Sequence, residues 1–250
     1  MTRQFLGLDV GGSSIKAGVV DVDAGRLIGE LISAPTPQPS TPGAMLPVFA
    51  HLAERLGSPA GKVGIAFPSV VKQGTIYTAA NIDHGWIGVD GPDFFGKSLQ
   101  RPVVFLNDAD AAGVAEVKWG AGRNTRGVVI MLTFGTGIGT ALFADGRLLP
   151  NTELGHMEVH GVEAEKWTSA HVRTAQKLDW PAWIERVNEY LARMHALLWP
   201  DLFILGGAVS ERFDDFASLL RSEARVCPAH FAGQAGVIGA ALAAAEAVHY

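Results

Sequence analysis

A strand, a glycine-rich turn and a second strand follow one another twice in this chain of 250 residues, as FLGLDV-GGSS-IKAGVV around Asp9 and as GVVIMLTF-GTGIG-TALFADG around Thr133. The two copies lie about half a chain length apart, which implies two related halves meeting near Asn107. Each run is apolar and β-prone. The first pair continues through an Asp-Ala-Gly turn into a third run at residues 27–32, which reads as an antiparallel meander. Strand-like runs at residues 63–67 and 103–106 then alternate with helical spacing at 43–56 and a short helix at 94–99, the pattern of an α/β sheet. In the second half, Asp145-Gly146 is a hairpin turn. Helices are expected at 163–176 and 182–198, a strand at 202–205 ending in Gly206-Gly207, and an Ala-rich helix from Ala235 onward. The proline-rich APTPQPSTP before the first helix reads as a surface loop, because residues preceding proline avoid the helical region.

Thirty glycines are well above the usual ~7%, so many backbone positions carry special demands. The formal charge of −5 disfavours a nucleic-acid coat or an anionic membrane as partner; any polyanion must meet a local patch. Cys227 is the single cysteine, which excludes an internal disulfide framework and a zinc site built on several thiolates. It reads as a small apolar filler in a protein of a reducing cytoplasm. No stretch has the length of a signal peptide core or a spanning helix, so no membrane association is expected.

Glycine turns after a strand suit phosphate, because a backbone without Cβ can bring several N–H groups against an anion. GTGIG is neither a P-loop nor GxGxxG, and a strand rather than a helix follows it, which removes Walker and Rossmann readings. One turn, with Asp9 and Lys16, and the other, at residues 133–139, are expected to face each other across a cleft between the halves. Either alone would read as an ordinary hairpin. Asp108 starts a helix directly after a strand and reads as an N-cap or, in a kinase of sugar hydroxyls, as the carboxylate that accepts the hydroxyl proton. PNTELGHMEVHGVEAE gathers Glu153, His156, Glu158, His160, Glu163 and Glu165, which suits hydrogen bonding of a polyhydroxylated ligand. Metal binding is the weaker alternative, and Glu158 and Glu163 read as solvated. Basic residues cluster at Lys118, Arg123 and Arg126 and at Lys166, Arg173 and Lys177, open between solubility and a track for a phosphate chain. Trp86, near Asn81, reads as a sugar platform or as core. Trp167, Trp180, Trp183 and Trp199 read as packing.

Taken together, DVGGSSIK, LNDADAAGVAE, TFGTGIGTALFADG and FILGGAVS resemble the two phosphate loops, the catalytic segment and the nucleotide-side strand and loop of the ROK family of sugar kinases. That resemblance covers nearly the whole chain. It implies an α/β, actin/hexokinase-like (ribonuclease H-like) duplicated fold of two domains with a central cleft: residues 1–106 with a C-terminal helix at 238–250 packing back on them, and residues 107–237. PTPQPSTP, TAANIDHGWIGVD, PNTELGHMEVHG and LLWPDLFILGG further resemble the polyphosphate-using branch, whose members phosphorylate the 6-hydroxyl of glucose from inorganic polyphosphate and, in some members, ATP. By that likeness Asp108 is the base, and Asn81, Asn107, Asp108, Glu153, His156 and Glu165 bind the sugar. Gly11, Gly12, Ser13, Lys16, Thr133, Gly135, Thr136, Gly137, Gly206 and Gly207 hold phosphate, and Asp9 sits near Mg²⁺. The cysteine-rich zinc loop of most ROK members is missing after Gly155-His156, as in the polyphosphate branch, so no zinc is expected. The likeness also implies a homodimer and leaves mannose open as a second acceptor. The rivals are a strictly ATP-dependent hexose kinase of the same family and a sugar-sensing regulator. The regulator is disfavoured because the first strand begins by Phe5, without room for a helix-turn-helix.

Overall fold

A computed structural model describes residues 3–57, 59 and 61–246. By contacts the chain forms two compact units, one of residues up to Ala115 together with those from Gln234 onward, the other of Glu116–Gly233. In the first unit β1 (Gln4–Val10), β2 (Ser14–Asp21) and β3 (Arg26–Pro35) form the antiparallel meander. There follow α1 (Pro42–Arg55), β4 (Val63–Phe67), a small hairpin of β5 (Val71–Lys72) and β6 (Thr75–Ile76), α2 (Gly91–Leu99), β7 (Val103–Asn107) and α3 (Asp108–Trp119), whose last residues pass into the second unit. The sheet order is β3-β2-β1-β4-β7, with β1, β4 and β7 parallel.

The second unit holds β8 (Val128–Phe134), β9 (Ile138–Ala144), β10 (Arg147–Leu149), the hairpin β11 (Glu158–Val159) and β12 (Val162–Glu163), α4 (Ala164–Thr168), α5 (Ala170–Ala175), α6 (Trp180–Leu198), β13 (Leu202–Gly206) and β14 (Arg225–Pro228). Its sheet order is β10-β9-β8-β13-β14, again a three-stranded meander extended by two parallel strands. The two sheets share one topology, which is the duplication expected from the repeated motif.

The chain ends with α7 (Ala235–Glu246), which packs against β1 and β4 of the first unit; residues 247–250 of the expected C-terminal helix lie outside the described residues. Gly7 and Gly64 are cross-strand partners. A Cβ on Gly7 would stand 2.0 Å from the Val237 carbonyl oxygen, and one on Gly64 1.8 Å from that of Ala240, so the helix backbone rests directly on the strands. Residues 235–244 of α7 are all buried, as expected for a helix apolar on every side.

Several local expectations needed correction. The helix expected over 163–176 is broken: Glu163 belongs to β12, and Ser169, at ψ 162°, ends α4 and caps α5 by accepting from Val172 N–H. The hairpin β5–β6 and strand β14 are too short or too irregular in pattern to be read from periodicity. Trp86 is fully buried against Phe67 and Phe95 and donates to the Ser40 carbonyl, so it is core and no sugar platform. Trp199 is 71% exposed, contrary to a packing role, because it terminates α6 in the left-handed region. The proline-rich segment is more than a surface loop. Thr36 and Ser40 within it are buried and bind the first glycine turn and the Asp83–Trp86 segment respectively.

Candidate functional site

In the first unit, β1, β4 and β7 point their carboxyl ends the same way, and the candidate residues sit at those ends. Asp9 on β1 is in register with Ala66 on β4, which pairs with Leu106 on β7; two strand spacings, about 10 Å, therefore separate the Asp9 strand from the one leading into Asp108. Burial raises the Asp9 carboxyl from 3.8 to about 6, and Lys16, its cross-strand partner, pulls it down only in part. A Cβ on Gly236 would lie 2.6 Å from the Asp9 carboxyl carbon, so the first turn of α7 closes over this group. Nothing in the motif reading pointed to Gly236; the glycines at 236 and 239 in an otherwise alanine-rich helix were the available signal.

The turn after β1 is closed by Gly11 N–H donating to Ser14 O, and Thr36 Oγ1 donates to Gly11 O at 2.7 Å. Asn81 lies alongside, with its carbonyl oxygen 3.7 Å from where a Gly12 Cβ would be. Asn107 is buried. Its carboxamide oxygen accepts from Asp110 N–H at 3.0 Å and its nitrogen donates to Ser69 O at 3.0 Å. Asn107, rather than Asp108, therefore supplies the helix cap, and Asp108 occupies the first helical position, half-buried, with one carboxylate oxygen accepting from Ala109 N–H at 2.8 Å.

In the second unit, Gly135 N–H donates to Gly137 O and closes the second turn as its counterpart closes the first. The Glu165 carboxylate lies over Gly137, where a Cβ would stand 2.3 Å from its oxygen, and that carboxylate also accepts from Ile138 N–H at 3.4 Å. Gly155 is pressed as closely on the Ile138 carbonyl, where a Cβ would be 2.2 Å from the oxygen. Thr140 on β9 binds Thr152 and accepts from Leu154 N–H, which ties the ELGH segment to the strand after the turn; this role of Thr140 was not read from the sequence. Thr133 and Gly206 are paired at the ends of β8 and β13, and Gly207, at φ +81°, sits against the Phe134 carbonyl.

Four charged or titratable candidates are brought together here. The His156 imidazole nitrogens lie 3.8 Å from Glu153, 3.7 Å from Glu163 and 3.9 Å from Glu165. Ligand-capable atoms of His156, Glu163 and Glu165 fall within 4.8 Å of one another. Partial burial raises the Glu153 carboxyl, an effect that His156 opposes and Glu165 reinforces. Glu163 is not simply solvated as expected. It pairs with Lys166 at 2.7 Å, and that hydrogen bond foremost holds its carboxyl below the usual range. Glu158 is exposed, whereas His160 is engaged elsewhere, with Glu189 of α6 and the Trp167 ring. The group thus offers several acceptors around one imidazole, next to a turn suited to phosphate.

The sequence model of the ROK family matches residues 5–170. The chain is 45% identical over 249 residues to a polyphosphate glucokinase of Mycobacterium tuberculosis (strain CDC 1551 / Oshkosh), covering 99% of this chain and 94% of that protein. Among solved structures it is similar to the inorganic polyphosphate/ATP-glucomannokinase of Arthrobacter sp. strain KM, with a TM-score of 0.95 and 39% identity over 98% of this chain and 99% of the other. It is also similar to a ROK family glucokinase of Streptomyces griseus in complex with glucose and AMPPNP, with a TM-score of 0.80 and 26% identity over 98% of this chain and 100% of the other. With the duplicated topology, both glycine turns and the ELGH segment all accounted for, this chain belongs to the ROK family.

Proposed function

We propose that this protein transfers the terminal phosphoryl group of inorganic polyphosphate to the 6-hydroxyl of glucose, giving glucose 6-phosphate. The observation that carries this reading is the direct contact of Glu165 with Gly137, which joins a sugar-suited acidic group to a phosphate-suited turn. The polyphosphate-specific part draws on the likeness to the mycobacterial and Arthrobacter enzymes over nearly the whole chain.

In this mechanism Asp108 accepts the proton of the 6-hydroxyl as its oxygen bonds to phosphorus and the shortened polymer leaves. Asn81, Asn107, Glu153, His156 and Glu165 orient the sugar through its other hydroxyls. The Gly11–Ser13 and Thr133–Gly137 backbones, Lys16, Gly206 and Gly207 donate to phosphate oxygens, where negative charge is spread in the transition state. A desolvated carboxylate whose raised pKa is only partly offset by Lys16 suits a hard divalent ion, so Asp9 would hold Mg²⁺, which offsets phosphoryl charge when bound. Mannose as a second acceptor, a homodimer and a cytoplasmic location belong to the same proposal; among the described residues no helix is long and apolar enough to cross a membrane.

The test is a donor assay on purified protein with glucose and either polyphosphate or ATP. Glucose 6-phosphate from polyphosphate is the expected product. Turnover with ATP alone would make it a conventional hexose kinase of the family, and sugar binding without turnover from either donor would make it a sensor.

A further inference from the structure

Three segments meet at the carboxyl end of β8 in the second unit. They are the glycine turn after Phe134, α5, whose His171 N–H donates to Gly135 O at 3.0 Å, and the segment after β13, whose Gly207 rests on the Phe134 carbonyl. Followed outward, two of these segments place guanidinium groups against one indole. Arg173, two residues beyond His171, lies with its guanidinium 3.6 Å from the Trp180 ring centroid; Arg212, five residues beyond Gly207, lies at 5.9 Å. Lys177 is exposed in the turn that joins α5 to α6.

The state of these cations separates them from ordinary surface charge. Lys166 pairs with Glu163, and Arg212 shares its charge with Asp215. Arg173 and Lys177 have no carboxylate within ion-pair distance among the described residues, and Arg173 Nε is buried without a hydrogen-bond partner. Asp179, the nearest acid in sequence, is turned to the start of α6, where it accepts from Ala182 N–H. A guanidinium stacked on an indole is held in one plane and loses water from one face, so its N–H edge is preorganised for a phosphate. The stacking also decides what kind of ligand fits. Arg173 already occupies a face of Trp180, and Phe216 packs on the same ring system at 4.9 Å, so a flat base has no free aromatic surface there.

We propose that Arg173, assisted by Lys177 and Arg212 beside Trp180, docks the distal phosphates of a polyphosphate donor, beyond those held at the Gly135–Gly137 turn. This rests on polyphosphate being the donor. The site favours long chains over donors too short to reach it, and its attraction weakens with salt as condensed counterions lose their advantage.

Steady-state kinetics with long-chain polyphosphate and with tripolyphosphate, at saturating glucose, test it. Loss of one charge-assisted contact in Arg173→Ala should raise KM for the long chain about tenfold, with kcat and the glucose KM unchanged and tripolyphosphate affected less than about twofold. The salt dependence of the long-chain KM should become shallower, and Arg173→Lys, which keeps the charge without the planar stacking, should fall between the two. An unchanged long-chain KM in Arg173→Ala, or equal increases for both donors, overturns the site while leaving polyphosphate activity standing. A native protein that turns over ATP and no polyphosphate overturns the donor assignment and this site together.

Discussion

Burial lifts the Asp9 carboxyl to about 6, and Lys16 on the neighbouring strand offsets only part of that cost. Below about pH 3 folded and unfolded chains both carry it largely protonated. As pH rises from there to about 6 the unfolded chain ionises freely and the folded one resists, so stability falls through that window and stays lowered above it. Asp9→Asn should therefore be more stable than the native protein at pH 7.5, by on the order of 2 kcal/mol, with the gap narrowing through pH 4 and closing by about pH 3. Denaturant melts of both proteins in metal-free buffer measure this, and a gap independent of pH would show that the carboxyl is not under such pressure. Asp108 is a different case, since its helix is already capped by Asn107. Replacing it by alanine should leave the melting temperature nearly unchanged and lower turnover by about 10² or more. A near-normal rate would remove Asp108 from the chemistry. That a carboxylate follows the strand was plain in LNDADAAG; that asparagine, one residue earlier, does the capping depended on the position of Ser69 and on where the helix starts.

Apolar spacing was enough for most elements of the two sheets and for α1 and α6, and Ala-rich composition for α7, because each buries a long apolar segment against a neighbour. It was not enough for residues 163–176. There a continuous helical pattern is interrupted at Ser169, and the break leaves α4 placing Glu165 against Gly137 while α5 reaches Gly135. The glycines carry a second lesson. Glycine inside a strand weakens it by propensity alone, yet Gly7 and Gly64 are where α7 lies on the sheet. Gly64→Ala forces a methyl into the Ala240 carbonyl and should cost about 3 kcal/mol. A denaturation midpoint within a few tenths of a molar of the native protein would mean that the helix shifts freely, contrary to the packing.

For the molecule as a whole, the same five-stranded topology built twice gives two turns, each closed from its first glycine: Gly11 N–H donates to Ser14 O, three residues on, and Gly135 N–H to Gly137 O, two residues on. Binding of the proposed glucose can be read as stabilisation of the folded state. Glucose at about a hundred times its Kd should add about 2.7 kcal/mol. That gain should shrink in Asn81→Ala and in Glu165→Gln. A thermal shift that survives either change would take that residue out of the sugar site. What the chain determined by itself was the α/β class, the duplication, the two turns and the acidic ELGH neighbourhood, because these rest on local spacing and residue type. Tertiary structure decided which acids share the imidazole, which glycines are close approaches, that Trp86 is core, and that Arg173 is stacked and, among the described residues, has no carboxylate within ion-pair distance. Each of these depends on which groups the fold brings within a few ångströms, some across a turn and some from far along the chain, and no local pattern carries that information.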